Sequence, residues 1–363
     1  MKKQPVEAED VSGLKRGQAF VKELLRWNRY DNNRQMPWKN EKNPYKIWLS
    51  EVILQQTRVE QGLSYYRNFL DAFPDIHTLA AAADEKVFKL WEGLGYYSRC
   101  RNLLYTARYI VNELGGVFPQ TYEGILALKG VGTYTAAAIG SFAFNLPYAV
   151  LDGNVYRVLA RVFNKEVPID STAGKKLFST LAQRLLPVAE AGTYNQAIMD
   201  FGATVCKPVP TCTECFFNDK CLAYLAGKQQ LLPVKEVKLT RKKRWLNYFL
   251  VQHGDEILIR QRSTKDVWQG LHEFFLIETP NAPTSKQMLA MFTQQAGISE
   301  FKMASEWKKK QVLSHQTISF HFFHCTVSQR KKVDGYRWIS AAEISGLAFP
   351  RTLQTTLALL YTK

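Results

Sequence analysis

The spacing of apolar positions divides the chain into two parts. From about Phe20 to Leu225, apolar residues recur at helical intervals, and prolines and glycines occupy the short polar breaks between them. The helices predicted here are residues 44–58, 86–90, 102–114, 122–128, 133–144 and 155–163. This pattern predicts a mainly α-helical N-terminal part.

Beyond about residue 245 the pattern becomes strand-like. Strands are predicted at residues 248–252, 256–260, 274–278, 317–327 and 336–339, and helices at 285–295 and 351–361. Mixed strands and helices predict a separate α+β domain. The segment between the two parts, residues 228–244, carries seven basic residues and one acidic residue. We interpret it as a basic linker, either a solvated tether or a direct DNA contact, so the predicted domains are 1–227 and 245–363.

Composition and charge narrow the class of protein. A length of 363 residues suggests about two domains, and the 46% hydrophobic content excludes a disordered chain. The net charge of +16 favours nucleic acid as the partner over an anionic membrane surface. The sequence has no long apolar run and its first residues have no apolar core. We therefore expect a soluble intracellular protein.

Four of the six cysteines fall close together in the sequence. Cys206, Cys212, Cys215 and Cys221 have the spacing C-x5-C-x2-C-x5-C. In an intracellular chain, such clustering indicates a metal or iron–sulfur site rather than disulfides, with four unrelated buried thiols as the alternative. Zinc and a [4Fe-4S] cluster both accept four thiolates, so ligand number leaves the choice between them open.

A glycine-rich turn, residues 128–132, joins two predicted helices. Gly130 and Gly132 flank Val131, so the backbone can turn tightly and leave the amides of the next helix accessible to a phosphate oxygen. An ordinary helix–helix turn is the alternative. The basic charge of the chain and the small side chains that follow the turn favour a helix–hairpin–helix that binds DNA.

Two carboxylates are candidates for catalysis. Asp152 precedes an amphipathic helix and should cap it, and a capping carboxylate that is held ionised could also stabilise a cation. Glu51 lies on a helix that is apolar on nearly every face, so burial should raise its pKa and make it a general acid. A structural Glu in the core is the alternative. Together they form the pair that glycoside cleavage requires.

These motifs together resemble the A/G-specific adenine DNA glycosylases, the MutY family of helix–hairpin–helix DNA glycosylases with an iron–sulfur cluster. The matching segments, in the family's order, are residues 37–38, 48–59, 91–99, 128–132 and 152–155 and the four clustered cysteines. The C-terminal part is similar to the family's Nudix-like domain at residues 268–271, 273–274 and 313–315. The resemblance implies a six-helix bundle with an iron–sulfur cluster subdomain, followed by an α+β Nudix-like lesion-recognition domain.

The resemblance also implies residue roles. Glu51 would protonate the adenine leaving group and then activate water, while Asp152, supported by Tyr134 and Asn154, would stabilise the sugar cation or its covalent adduct. The adenine pocket would include Trp38, Leu54 and Arg34. The residues facing the opposite base or the DNA would be Gln56, Thr57, Leu94, Tyr96, Gly130, Val131, Gly132, Ser314 and His315, with Tyr96 wedged into the base stack. Cys206, Cys212, Cys215 and Cys221 would bind a [4Fe-4S] cluster.

The expected activity is hydrolysis of the N-glycosidic bond of adenine opposite 8-oxoguanine or guanine in duplex DNA, in base excision repair. We expect a monomer with no membrane partner, cytoplasmic and, in a bacterium, associated with the nucleoid. The sequence departs from the family pattern at two places. Five residues rather than six separate Cys206 from Cys212, and Leu313 stands where the family often has Phe.

Three other functions compete with this interpretation. An endonuclease III-like enzyme that also cuts the DNA backbone would need a Lys amine for a Schiff base, and Tyr134 occupies that position. A non-catalytic DNA-binding or redox-sensing protein would have no use for both Glu51 and Asp152. A Nudix pyrophosphohydrolase would need an acidic metal-binding helix, and residues 285–295 contain no Asp or Glu.

Overall fold

The chain folds into two compact units. The computed structural model describes residues 7–236, 241–313 and 315–361. Unit 1 contains the chain up to residue 80 and from residue 105 to residue 236, and unit 2 contains Ala81–Leu104 and the described residues from 241 onward. Ala81–Leu104 therefore packs with the C-terminal part of the chain, which the sequence pattern did not indicate.

Helices form nearly all of the regular structure before residue 237. They are α1 (Glu7–Tyr30), α2 (Pro44–Leu54), α3 (Val59–Ala72), α4 (Ile76–Ala80), α5 (Asp84–Trp91), α6 (Ser98–Glu113), α7 (Tyr122–Leu126), α8 (Thr133–Phe144), α9 (Gly153–Val162), α10 (Thr172–Leu185), α11 (Ala191–Thr204) and α12 (Leu222–Leu225). Helix α5 and the start of α6 belong to unit 2. Among the described residues, no helix is both long and apolar enough to cross a membrane.

Local signals explain where α2 begins and ends. The Asn43 side chain accepts a hydrogen bond from the Tyr45 backbone N–H at 2.9 Å, and Pro44 occupies the first helical turn. The helix ends at Leu54, before the residue 58 predicted from the apolar pattern, because Gln56 adopts a left-handed backbone with φ +56°. This turn directs the residues after Leu54 away from the helix axis.

The core of unit 1 forms where α1, α9, α10 and α11 meet. Edge-to-face rings fill its centre, with Phe20 at 6.1 Å from Phe201 and 5.2 Å from Phe217. Helix α11 approaches the start of α9 so closely that a Cβ on Gly202 would lie 2.7 Å from the Asn154 Cβ. Helix α2 packs against α8 on another side. The packing fixes the N-termini of α8 and α9, where the predicted site residues lie.

Unit 2 is built on a mixed sheet. Its strands are β1 (Lys242–His253), β2 (Glu256–Gln261), β3 (His272–Thr279), β4 (Lys302–Val312), β5 (Gln316–Thr326) and β6 (Arg337–Ser340), with helices α13 (Ser285–Ala296), α14 (Ala341–Ile344) and α15 (Arg351–Tyr361). The order is β4-β5-β1-β3-β2-β6, with β1 and β5 parallel and the other neighbouring pairs antiparallel. Stacked rings of Phe249, Phe292 and Phe323 attach α13 to one face.

Two features of this sheet were not predicted. Strand β1 begins at Lys242, inside the segment interpreted as a linker, because Arg244 pairs with Asp266 at 2.8 Å and with Glu278 at 2.7 Å. Strand β4 has no alternation of apolar and polar residues, since it is an edge strand that is largely exposed and carries the lysines 308–310. Charged residues on an edge strand oppose pairing with other chains.

Candidate active site

A cavity of about 500 Å³ in unit 1 brings nine of the predicted site residues together. Its volume lies in the range of about 300–1,000 Å³ that is usual for small-molecule sites. The predicted residues in its lining are Arg34, Trp38, Glu51, Leu54, Gln56, Thr57, Tyr134, Asp152 and Asn154. The lining residues that the sequence did not indicate are Met36, Gln55, Val59, Phe142, Gln196 and Met199. Gln196 and Met199 lie on α11, a helix whose bounds the sequence pattern did not give.

Glu51 is a buried acid on α2, and its residue is only 7% exposed. Burial is the main cause that raises its pKa to about 7, and the nearby charge of Asp152 acts in the same direction. The Tyr134 hydroxyl hydrogen-bonds the Glu51 carboxylate and partly opposes the rise. Burial also raises the pKa of Tyr134 itself, so its hydroxyl stays protonated at neutral pH and can donate a hydrogen bond. Near neutral pH, the protonated and the ionised forms of Glu51 are therefore both populated.

Asp152 caps α9, as the sequence predicts. Its carboxylate accepts hydrogen bonds from the Val155 backbone N–H at 2.8 Å and from the Asn154 side-chain amide at 2.9 Å. Burial, the largest influence, raises the pKa of Asp152, whereas these bonds and the positive charge of Arg157 lower it. The net direction is upward. Capping thus offsets the cost of burying the Asp152 charge only in part, a balance that the sequence did not reveal.

Arg157 connects Asn154 to the cysteine segment. Its guanidinium donates to the Asn154 side-chain oxygen at 2.8 Å and to the Gly202 carbonyl at 2.7 Å. The Nε of the same side chain donates to the Cys206 carbonyl at 2.8 Å. Arg157 therefore fixes the orientation of the Asn154 amide, which in turn donates to Asp152.

A buried carboxylate holds the loop that carries Arg34 and Trp38. Asp200 on α11 is fully buried and accepts hydrogen bonds from Arg34 at 2.8 Å and from Asn32 at 2.9 Å. The Lys39 ammonium lies 3.3 Å from Asp200 Oδ2, the oxygen that also accepts the Asn32 bond. Three contacts from residues 32–39 converge on this one side chain, so Asp200 anchors this edge of the cavity. No local sequence signal indicated that role.

The turn at residues 128–132 combines a left-handed glycine with an exposed helix N-terminus at Gly132. Gly130 has φ +84°, which favours glycine, and Val131 is buried beneath the turn. Gly132 is the N-cap of α8, and no described side chain caps the first amides of that helix. These amides and the positive end of the helix dipole are therefore open to an anion.

Two of the residues predicted to face the opposite base or the DNA lie on strained turns. Gln56 has φ +56° and Tyr96 has φ +49°, a region that non-glycine residues rarely adopt and that often marks functional positions. Gln56 lines the cavity in unit 1. Tyr96 is 36% exposed and belongs to unit 2, as does the buried Leu94.

The predicted opposite-base contacts of the C-terminal part lie at the β4–β5 turn. The Leu313 N–H donates to the Gln316 carbonyl at 2.8 Å, which closes the turn. His315 is exposed there, and its ring lies 3.0 Å from the Gln316 amide nitrogen. Ser314, which was predicted to contact the opposite base, lies outside the described residues.

The four clustered cysteines line one small cavity in unit 1 together with Arg161. Arg161 donates to the Cys206 sulfur at 3.4 Å and to the backbone carbonyls of Lys207 and Pro208 at 2.7 and 2.9 Å. Those bonds hold the five-residue loop between the first two cysteines. Within the described residues, no three His, Cys, Asp or Glu side chains are arranged to hold a single metal ion.

Comparison with known proteins identifies the families of the N-terminal and the C-terminal parts of the chain. Residues 49–188 match the HhH-GPD superfamily of base excision DNA repair proteins, and residues 247–359 match the NUDIX domain family. The structure of a thermostable thymine-DNA glycosylase superposes with a TM-score of 0.54 at 29% identity, covering 58% of this chain and 98% of that one. The N-terminal part therefore has the helical HhH-GPD fold and the C-terminal part is Nudix-like, as the sequence predicted.

Named relatives then identify the family. The adenine DNA glycosylase of Buchnera aphidicola subsp. Baizongia pistaciae is 34% identical over 304 residues, which are 82% of this chain and 84% of that protein. The adenine DNA glycosylase of Mus musculus is 44% identical over 217 residues, 57% of this chain and 42% of that protein. Because the first relative is similar over most of its length and spans both units, the chain belongs to the adenine DNA glycosylase family.

Proposed function

We propose that this enzyme hydrolyses the N-glycosidic bond of adenine opposite 8-oxoguanine or guanine in duplex DNA. The observation that carries the proposal is the shared cavity in which Glu51, Tyr134 and Asp152 meet. A cavity of this size can accept a single base, and an enzyme that cleaves inside a duplex must first extrude its target. The basic net charge of the chain suits binding to the DNA backbone.

Glu51 supplies the proton for the leaving group. Its carboxylic acid protonates a ring nitrogen of adenine, and the C1′–N9 bond breaks with its electron pair moving to the base. The resulting Glu51 carboxylate then takes a proton from the water that attacks C1′. A pKa of about 7 suits both steps, because the acid and its conjugate base are both accessible near neutral pH.

Asp152 stabilises the positive charge that develops on the sugar. Its carboxylate is oriented by the Val155 amide and by Asn154, so the negative charge is already in place when the bond breaks. Tyr134 has no amine and cannot form a Schiff base with the opened sugar. The enzyme is therefore a monofunctional glycosylase that leaves the DNA backbone intact.

Trp38, Leu54 and Arg34 surround the extruded adenine, and the turn at Gly130–Gly132 binds a phosphate through amides at the start of α8. Gln56, Thr57, Leu94 and Tyr96 face the opposite base, with Tyr96 wedged into the base stack. Ser314 and His315 offer hydrogen bonds to the opposite base. The functional division is thus a catalytic region at residues 1–227, a basic connection at 228–244 and a lesion-recognition domain at 245–363, acting as a monomer.

Cys206, Cys212, Cys215 and Cys221 bind a [4Fe-4S] cluster. Four thiol side chains on a single cavity provide the donor set that such a cluster requires. The cluster would supply a covalent cross-link for the loop after α11. Arg161 stabilises that loop through its backbone carbonyls, and its guanidinium also donates to the Cys206 sulfur.

Single-turnover release of adenine from duplexes with A:8-oxoG, A:G and A:T pairs tests the proposal. We expect release from the first two duplexes and almost none from the third. Glu51→Gln keeps the size of the side chain and removes the proton donor, so release should fall to background while binding to the duplex persists. Glu113→Gln, an exposed acid of α6, is the matched control and should behave like the wild type. Normal release by Glu51→Gln would overturn the assignment of Glu51.

A further inference from the structure

The segment Ala81–Leu104 carries Leu94 and Tyr96, yet it packs as part of unit 2 with the Nudix-like residues. The motif Trp91–Arg99 lies in the middle of this segment and includes Glu92. The proposed chemistry does not use Glu92. The Glu92 side chain is only 8% exposed. A nearly buried acid is costly unless it is paired, so its partners indicate what it does.

Both oxygens of Glu92 bind residues of the C-terminal part. One accepts the Phe349 backbone N–H at 2.9 Å and the other accepts the Gln354 side-chain amide at 2.8 Å. The Lys89 ammonium lies 2.9 Å from Glu92 and also donates to the Leu347 carbonyl at 3.1 Å. One carboxylate thus connects α5 to the residues before and within α15.

A second set of contacts lies on the Gly270 turn. Arg101 donates to the Gln269 carbonyl. Gly270 has φ +88°, and a Cβ there would lie 3.3 Å from the Phe88 ring. Segment Ala81–Leu104 is therefore attached to the Nudix-like residues at two separate places.

The turn that carries Tyr96 is itself rigid. The Trp91 indole N–H donates to the Gly95 carbonyl at 3.1 Å, and the Gly93 N–H donates to the Tyr97 hydroxyl at 3.2 Å. The Arg99 guanidinium lies 5.1 Å from the Trp91 ring and 5.6 Å from the Tyr96 ring. A displacement of α5 would consequently be transmitted to Tyr96 rather than absorbed by the turn.

We infer that Glu92 is a positioning residue that couples recognition of the opposite base by the Nudix-like domain to insertion of Tyr96 into the base stack. This inference rests on the proposed function. When the β4–β5 turn engages 8-oxoguanine, the bonds of Glu92 to Phe349 and Gln354 hold the Tyr96 turn in the position for wedging. With guanine opposite, engagement is weaker and Tyr96 is inserted less often.

The test uses full-length protein carrying Glu92→Ala, with Glu113→Gln as the matched control. Single-turnover rates on A:8-oxoG and A:G duplexes give the preference, and 2-aminopurine next to the opposite base reports unstacking by its fluorescence. We expect Glu92→Ala to reduce the preference for A:8-oxoG by about fivefold to tenfold, in the range of typical coupling between sites. The fluorescence rise on binding A:8-oxoG should fall in parallel.

Reciprocal exchange separates coupling from general damage to the fold. Glu92→Gln alone should lose part of the preference, because it removes the negative charge that pairs with Lys89 and leaves one acceptor oxygen in place of two. Adding Gln354→Glu returns a carboxylate opposite the new amide, so the double variant should recover preference and fluorescence. Wild-type protein that releases adenine from neither duplex would refute the proposed function instead, whereas equal release from both duplexes by the wild type would refute the coupling. The role of Glu92 would be refuted if Glu92→Ala kept the wild-type preference. It would also be refuted if the double variant did not recover the preference.

Discussion

Glu51 shows at the scale of one residue how the site lowers the stability of the fold. Its pKa rises from an ordinary 4.5 to about 7 because the carboxylate is buried on α2. Below pH 4.5 the acid is protonated in both the folded and the unfolded chain. Between pH 4.5 and about 7, only the unfolded chain loses this proton, so stability falls across that window and levels off above it. The difference in pKa corresponds to about 3 kcal/mol at alkaline pH.

We therefore predict that Glu51→Gln is more stable than the wild type above pH 7. The gain should be small near pH 4.5, grow through pH 7 and level off near pH 8 at up to about 3 kcal/mol. Urea unfolding at several pH values measures it. Glu113→Gln, which removes an exposed acid, should show no such dependence. A gain of equal size at pH 5 and pH 8 would contradict the burial argument.

At the scale of elements, the site depends on how closely α11 approaches α9. Gly202 leaves no space for a side chain, since its Cβ would lie 2.7 Å from Asn154. Arg157 also bonds the Gly202 carbonyl and the Asn154 side chain. A small shift at this crossing would therefore move the amide that orients Asp152.

Gly202→Ala should lower adenine release by about tenfold or more. The added methyl improves helix propensity by about 1 kcal/mol but overpacks the crossing by about 1–3 kcal/mol, so stability should fall by at most about 2 kcal/mol. Single-turnover release and thermal unfolding measure the two effects. Gly346→Ala, where an added Cβ would make only an ordinary contact of 3.5 Å, is a control for protein handling. Unchanged release by Gly202→Ala would show that Asn154 tolerates displacement.

The cysteine loop gives a second prediction at this scale. Protein purified anaerobically from iron-replete cells should contain about four irons and absorb near 400 nm. Cys215→Ser should lose most of the iron, while Cys325→Ala, a buried cysteine of unit 2, should retain it. One zinc and no iron in the wild type would contradict the assigned cluster and implicate the five-residue spacing after Cys206.

Elements with strong local signals were predictable from sequence. Helix α8 has the predicted bounds, because Gly132 precedes it and Asn145 ends it in a left-handed conformation. Strand β4 was missed because an exposed edge strand has no apolar periodicity. The roles of Asp200 and Glu92 depend on partners 166 and 262 residues away, and no local pattern reports such contacts. The carboxylates Glu51 and Asp152 stood out because each sits in a distinctive local context.

At the scale of the whole molecule, the two units should separate chemistry from discrimination. Leu232 is buried in the core of unit 1 and Val234 packs against it, so a truncation must lie beyond them to spare the catalytic region. Ending the chain after Glu236 meets this condition. It removes the β4–β5 turn together with the partners of Glu92.

We expect the protein truncated after Glu236 to release adenine but to prefer A:8-oxoG over A:G less, by about tenfold or more. Each hydrogen bond lost to the opposite base should cost about 1–3 kcal/mol of discrimination. Release from both duplexes under single turnover measures the ratio, with the full-length chain as reference. If the truncated enzyme kept the full ratio of A:8-oxoG to A:G release, the Nudix-like domain would not be responsible for this discrimination.

The long separation between Glu92 and Gln354 also sets an order of events during synthesis. The two residues are 262 positions apart. At about 5–20 residues per second, a ribosome needs roughly 13–50 seconds to make the chain between them. During that interval α5 has left the ribosome without its partners, and the face of Phe88 that packs on Gly270 must wait uncovered or be covered by a chaperone. The nascent chain therefore acquires Glu51 and Asp152, the carboxylates proposed for catalysis, well before the segment bearing Tyr96 can be secured.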